Sequence, residues 1–457
     1  MEKEQLESSG ISLSILCDEL QKNNNIPQEM FVRHHIKRGL RNSDGSGVRT
    51  GLTRICNVHG YVLNEGERAA DRGILTYRGY NVEDLVAGTR AENRFGFEEI
   101  AWLLMFGALP TAAQLQGFTD LLSEYRELPE NFVENNMLVR TPSPNIMNQM
   151  SRAVLALYAE DADADNLAIE NVVRQSVNLI AKMPLVMAYA YQVKRRYQNN
   201  ESMFFHPNVM GMSTAEAILH TIRADSQFTP EEARLLDLCL LLHAEHGGGN
   251  NSTFATRVLS SSGTDTYAAI SAAIGALKGP RHGGANVKVM EMLGYIKAGV
   301  SDIHDEEEIA DFVARLIRKE EGDRSGLVYG MGHAVYTLSD PRAVILKEQA
   351  YDLAQQKGFG DDFRLLETVE RVTPSVFEKV RGVEKPLCAN VDMYSGLVYT
   401  TLGIDPDMFT PLFAVARTVG WSAHRLEEIM TGGRIIRPAY KAIAGHKEYV
   451  TLSQRKG

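Results

Sequence analysis

Five short stretches place ionisable residues among glycines or inside apolar runs, where they could do chemistry. His243-Ala-Glu-His246 runs into Gly247-Gly248-Gly249-Asn250-Asn251, and Gly279-Pro280-Arg281-His282 runs into Gly283-Gly284-Ala285-Asn286. Glycine lets backbone approach a ligand closely, and a histidine at the start of a helix opening near Ala285 would feel its positive end. That favours a neutral imidazole, a hydrogen-bond donor in place of a cation. The third stretch joins Gly330-Met331-Gly332-His333-Ala334-Val335-Tyr336 to Ser339-Asp340-Pro341-Arg342. Asp340 can cap and Pro341 can start a helix, so Arg342 falls in a first turn whose free N–H groups suit a carboxylate. In the fourth, Asn390-Val391-Asp392-Met393-Tyr394-Ser395-Gly396, poor solvation of Asp392 would make it a stronger base. The fifth is Phe413-Ala414-Val415-Ala416-Arg417-Thr418-Val419-Gly420-Trp421, followed by Arg434 to Arg437-Pro438. Arg417 lies mid-helix between apolar neighbours, is expected to be buried, and needs an anionic partner.

Each has a plainer reading. A histidine near a helix end can cap or fill the core, Asp392 can be a helix cap, and Arg417 can pair with a structural carboxylate. His243 and His246 flank Glu245 at a spacing that is not HExxH, and no cysteine joins them, so no metal site is expected. The run Asp305 to Glu308 reads as a solvated face.

The elements that must hold these residues are mostly helices. Thr229-Pro230-Glu231-Glu232 is a capping box with Pro at the first helical position, and the helix it opens carries His243 and His246 to its C-terminal end. Ser213 and Glu216 form a second box. Phe97 to Phe106 reads as a helix closed by Gly107, and Thr410-Pro411 opens a long one closed by Gly432-Gly433. Strand signals are few, with a small N-terminal hairpin around Gly73 to Tyr77. The fold class is all-α. A charge-rich segment from about 285 to 390 reads as a smaller unit inserted between two parts of a larger one.

Composition narrows the function. The 457 residues are 44% hydrophobic and 23% charged, as in folded globular chains. Lys+Arg number 48 against 58 Asp+Glu, a net charge of −10, so no global field attracts nucleic acid or anionic lipid. The four cysteines, Cys17, Cys56, Cys239 and Cys388, lie far apart with no CxxC pair and read as reduced thiols. The acidic N-terminus resembles no secretory or transit signal, and no apolar run is long enough to span a membrane. A cytoplasmic location is expected.

Taken in this order, the five stretches resemble motifs of the citrate synthase family, and Gly73-Ile74-Leu75-Thr76-Tyr77-Arg78-Gly79-Tyr80 resembles its N-terminal region. The likeness covers roughly residues 50 to 445 and favours the bacterial type, which includes 2-methylcitrate synthases. It implies a two-domain helical homodimer with shared active sites: a large domain of 1–284 (with an arm over about 1–46) and 395–457, and a small domain of 285–394. It also implies condensation of acetyl-CoA with oxaloacetate and water to citrate and CoA, without metal or cofactor. His246, Arg342, Arg417 and Arg437 would bind oxaloacetate, Arg437 reaching the partner subunit's site. Asp392 would be the base, His282 the donor to the enolate oxygen, and His333 the group that polarises the ketone. Propionyl-CoA, giving 2-methylcitrate, is the alternative, and a catalytically silent sensor of CoA esters or dicarboxylates a remoter one. Two departures stand out: Arg281 where an apolar residue is expected, and Asn64 to Arg72, which reads as an insertion beside the hairpin.

Overall fold

The computed structural model describes residues 13–42, 44–64, 67–139, 142–280, 282–383 and 386–455. The chain divides into two compact units, one of Met1–Arg49 with Arg437–Gly457 and the other of Thr50–Ile436. The first holds α1 (Leu13–Asn24) and α2 (Gln28–Arg33), neither burying a residue, and an extended C-terminal stretch. Its apolar side chains Leu20, Val32, Tyr440 and Tyr449 are exposed. The expected arm falls here, with residues 1–12 outside the described residues.

The second unit begins with β1 (Cys56–Asn64), β2 (Glu67–Tyr77) and β3 (Tyr80–Asn81). Helices follow: α3 (Val82–Ala91), α4 (Phe97–Phe106), α5 (Ala112–Glu124), α6 (Ile146–Leu157), α7 (Ile169–Gln198), α8 (Thr214–Ile222) and α9 (Pro230–His243). Then come α10 (Asn251–Ser261), α11 (Thr266–Leu277), α12 (Ala285–Gly299), α13 (Glu306–Ile317), α14 (Pro341–Gln356), α15 (Gly360–Arg381), α16 (Asp392–Thr401) and α17 (Phe409–Met430). The mostly helical expectation holds. Both capping boxes form, Thr229 with Glu232 and Ser213 with Glu216, and Gly107 closes α4 in the left-handed conformation. Among the described residues no helix is long and apolar enough to cross a membrane.

The centre of this unit is α17, which packs against α4, α7, α9, α10 and α11. A helix covered on every side must be apolar nearly all round, and α17 buries Leu412, Val415, Val419, Trp421 and Leu426. It also buries the ionisable Arg417, His424 and Arg425, with Thr418 and Ser422. A further layer forms where α13 packs on α15, and α16 on α12 and α14.

The hairpin is longer than the sequence signals suggest. Cys56 pairs with Tyr77 and Val58 with Leu75, then the register shifts between His59 and Tyr61 and continues to Asn64 opposite Glu67. The stretch read as an insertion is therefore the far half of a hairpin, with residues 65 and 66 outside the described residues. At Gly60, Asp71 and Gly73 the hairpin is pressed onto the loop that follows His333. Thr337 Oγ1 donates to the Gly60 carbonyl, the Asp71 N–H donates to Thr337 Oγ1 at 3.0 Å, and the Gly73 N–H donates to Ser339 Oγ at 3.2 Å. A Cβ on Gly73 would stand 2.0 Å from the Ser339 carbonyl oxygen, so only glycine fits.

Candidate active site

The site begins at the end of α9, where the last carbonyls lack helical partners. Tyr77 Oη donates towards the carbonyls of Leu241, Leu242 and Glu245 at 3.1–3.3 Å. Arg417 Nε–H donates to the His243 carbonyl at 2.6 Å. A cation at a helix C-terminus is favourable, which gives Arg417 a reason to sit in an apolar face. Its guanidinium lies over the Phe413 ring, 4.6 Å from the centroid. Neither Nη1 nor Nη2 has an acceptor among the described residues, although both are buried. Burial lowers the pKa of Arg417, and the Glu245 carboxylate opposes that.

His246 follows in the glycine turn. Its Nε2 is 3.3 Å from Tyr336 Oη, and its ring centroid is 5.1 Å from that of His333. Burial, then the charge on Arg342, holds His246 well below its ordinary pKa. His333 stacks on Tyr336 with centroids 4.5 Å apart. Its Nδ1 accepts the backbone N–H groups of Val335 and Tyr336, both at 3.0 Å. A nitrogen that accepts cannot carry the proton, so Nε2 of His333 is the donor.

Arg342 stands in the first turn of α14 as expected, but the anion at that turn belongs to the chain itself. Asp340 accepts from Arg342 Nε at 3.0 Å and Nη2 at 2.7 Å, as well as from the backbone N–H groups of Arg342 and Val391. Burial opposes the charge on Arg342, and the Asp340 carboxylate outweighs it, so the pKa is raised.

Asp392 is the first residue of α16, one position inside the N-cap residue Val391. The strand-like bridge between Met331 and Ala389, with Asn390 Nδ2 donating to the Gly332 carbonyl at 2.9 Å, ties its segment to that of His333. Burial pushes Asp392 up to about 6, with Asp340 adding to the effect and Arg342 and Arg417 opposing it. His282 sits before α12, its Nε2 3.1 Å from Ser252 Oγ and within 3.4 Å of the Ser252 N–H. The amide can only donate, so Nε2 accepts and Nδ1 bears the proton. Burial, then the Arg417 charge, brings His282 down to about 4, so it is neutral at pH 7.

Of the residues singled out from sequence, His246, His282, His333, Arg342, Asp392 and Arg417 lie in the Thr50–Ile436 unit, and after burial the charges of Arg342 or Arg417 act on His246, His282 and Asp392. Arg437 belongs to the other unit and is exposed. Arg281 lies outside the described residues. Sequence reasoning missed three contributors: Asp340 as the partner of Arg342, Tyr336 against His246 and His333, and His424 against Glu245. The Asp-Pro-Arg spacing could have exposed the first, and the seven-residue step from Arg417 to His424, two helical turns on one face, the last.

A family model described as citrate synthase, C-terminal domain, matches residues 44–439. The citrate synthase of Haloferax volcanii is 36% identical over 415 residues, 88% of this chain and 94% of that one. That of Synechocystis sp. is 33% identical over 426 residues, 92% and 94% of the two chains. Among solved structures, citrate synthase from Pyrobaculum aerophilum aligns with a TM-score of 0.72 and 31% identity, covering 90% of this chain and 94% of that one. A ternary complex of carboxymethyl coenzyme A and oxaloacetate with citrate synthase from Thermoplasma acidophilum aligns at 0.73 and 26% identity, covering 92% and 99%. The chain belongs to the citrate synthase family and is a transferase.

Proposed function

We propose that this chain condenses acetyl-CoA with oxaloacetate and water to give citrate and CoA. The observation that supports the reading is a poorly solvated carboxylate, Asp392, on a segment bridged to that of His333, with the charge of Arg417, whose outer nitrogens have no acceptor among the described residues, acting on both Asp392 and His282. A thioester α-C–H is a weak acid, so its removal needs a placed base and simultaneous stabilisation of the enolate oxygen. Asp392 takes the proton while Nδ1–H of His282 donates to the thioester oxygen. The enolate carbon adds to the ketone of oxaloacetate, and Nε2–H of His333 donates to the oxygen that becomes the hydroxyl. Water then cleaves citryl-CoA, forming the carboxylate and releasing the CoA thiol. Every step is proton transfer or carbonyl addition, so the scheme calls for no metal or redox cofactor. His246 and the open edge of Arg417 bind oxaloacetate, with Arg342 supplying field and shape.

Arg437 is the third guanidinium of the proposal, supplied across a homodimer, with residues 285–394 acting as the smaller domain. Its exposure in this chain is compatible with a role in a partner's site. The test is CoA release with oxaloacetate and either acetyl-CoA or propionyl-CoA, compared as kcat/KM. An acetyl preference of about tenfold is expected, since one methylene is worth about 1–3 kcal/mol in a fitted pocket. A propionyl preference makes the product 2-methylcitrate, and no release with either, from a folded protein that binds oxaloacetate, overturns the catalytic reading. Asp392→Ala abolishes release while leaving oxaloacetate affinity within a few-fold. Mixed Arg437→Ala and Asp392→Ala chains regain activity if the sites are shared.

A further inference from the structure

Between His243 and His246 lies a group the scheme above does not use. Glu245 is fully buried, yet it is held below its ordinary pKa: burial opposes ionisation, while His424, Arg417 and the Gly247 N–H favour it. Its Oε1 accepts from His424 Nε2 at 3.0 Å and from the backbone N–H of Gly247, the residue after His246. Gly247 has φ +88°, a left-handed conformation that suits glycine, so the acceptor pins a turn that the sequence alone leaves loose.

The chain continues in one direction. His424 Nδ1 lies 2.7 Å from Arg257 Nη2 and 3.1 Å from Nε. Arginine has no acceptor, so Nδ1 must accept and the ring proton is fixed on Nε2, facing Glu245. Arg257 in turn pairs with Glu428 at 2.8 Å and with Glu427. Space is as tight as charge. A Cβ on Gly420 would stand 2.2 Å from Glu245 Oε2, and one on Gly248 3.3 Å from His424 Cε1. Glu245 Oε2 has no donor among the described residues. The carboxylate therefore offsets the charge of Arg417 through space without a hydrogen bond that would close the guanidinium.

We propose that His424, oriented by Arg257, is a positioning residue for oxaloacetate binding, acting through Glu245 to hold the 246–248 turn and leave the outer edge of Arg417 open. This rests on the proposed function, because it assigns that edge and His246 to the same substrate. It requires that losing the His424 donor weakens binding of oxaloacetate more than it slows turnover. A glutamine at 424 can both accept from Arg257 and donate to Glu245, and so should restore most of the effect.

The experiment compares the full-length protein with His424→Leu and His424→Gln by oxaloacetate calorimetry, steady-state kinetics and thermal unfolding. Expected for His424→Leu is a loss of oxaloacetate affinity of about tenfold or more with kcat reduced less than threefold, and for His424→Gln an affinity within about threefold of the parent. In 15N-histidine spectra of the parent protein, the His424 proton is expected on Nε2. A folded His424→Leu that binds oxaloacetate like the parent overturns the proposal, as does a proton found on Nδ1. If His424→Leu does not fold, Arg257→Met takes its place: removing that donor should release the tautomer and weaken binding, and unchanged binding with the proton still on Nε2 overturns the proposal. Failure of the parent itself to bind oxaloacetate would instead overturn the function on which this rests.

Discussion

Arg342 and Arg417 are buried guanidiniums, 3% and 0% exposed, whose charges are offset in opposite ways. Arg342 is gripped at two nitrogens by Asp340, two residues away, which also caps α14. Arg417 is anchored by Nε alone, and its counter-charge, Glu245, acts without a hydrogen bond to it among the described residues. A local partner closes a cation before any ligand arrives, whereas a partner placed by tertiary structure can offset the charge and leave the donors open. On the proposed function the open donors of Arg417 serve recognition, whereas two of the three Arg342 nitrogens are already engaged by Asp340.

The strongest way to break this contrast is to remove each arginine and compare affinity with stability. Arg417→Leu is expected to weaken oxaloacetate binding by about 10³-fold, about 4 kcal/mol, within the range for truncating a buried charge pair. Arg342→Leu should chiefly unfold the protein more easily, by about 3–5 kcal/mol, because Asp340 is left buried without its cation. Calorimetry and denaturant titration on both variants check this, and equal losses in the two assays would erase the distinction.

A second, subtler pair of variants sharpens it through Asp392. With Asp392 at about 6, the acid limb of kcat/KM should fall below that pH as the base becomes protonated, while His282 at about 4 stays neutral across the same range. Asp340 raises Asp392 and Arg417 lowers it. Asp340→Asn should therefore move the acid limb to lower pH, and Arg417→Leu should move it higher. Shifts in the same direction would contradict the assignment of opposite roles.

The smallest expected effect is on the melting temperature. Because the folded pKa of Asp392 is raised, the folded state holds that proton more tightly than the unfolded chain does. The group's contribution is most favourable at low pH and is lost as pH rises through about 6. Asp392→Asn should therefore melt above the parent at pH 8, with the difference narrowing towards pH 4, and unfolding scans across that range test it.

Most of the helical frame was legible because its signals are local. Thr229 with Glu232, Ser213 with Glu216 and Gly107 each act within one turn, so spacing suffices to find them. The candidate site residues stood out for a different reason, since ionisable residues in apolar runs are unusual. What spacing could not give was which charges meet. Asp340 read as a helix cap because that role is local, and its grip on Arg342 needed the side-chain geometry. The Glu245–His424 contact spans 179 positions and leaves no periodic trace. The hairpin exceeded expectation because its register shift near Gly60 breaks the alternation by which strands are read.

That hairpin also bears on how the protein is made. Its Thr337 and Ser339 partners lie 266 positions further along the chain, and at about 5–20 residues per second they leave the ribosome on the order of tens of seconds later. Until then the edge at Asp71 and Gly73 has nothing to meet, and the loop after His333 lacks its clamp. Contacts of such separation form late. In refolding, helical content should accordingly return before turnover does, and nascent chains ending short of Thr337 would carry the hairpin as an open, adhesive edge for which chaperones would compete.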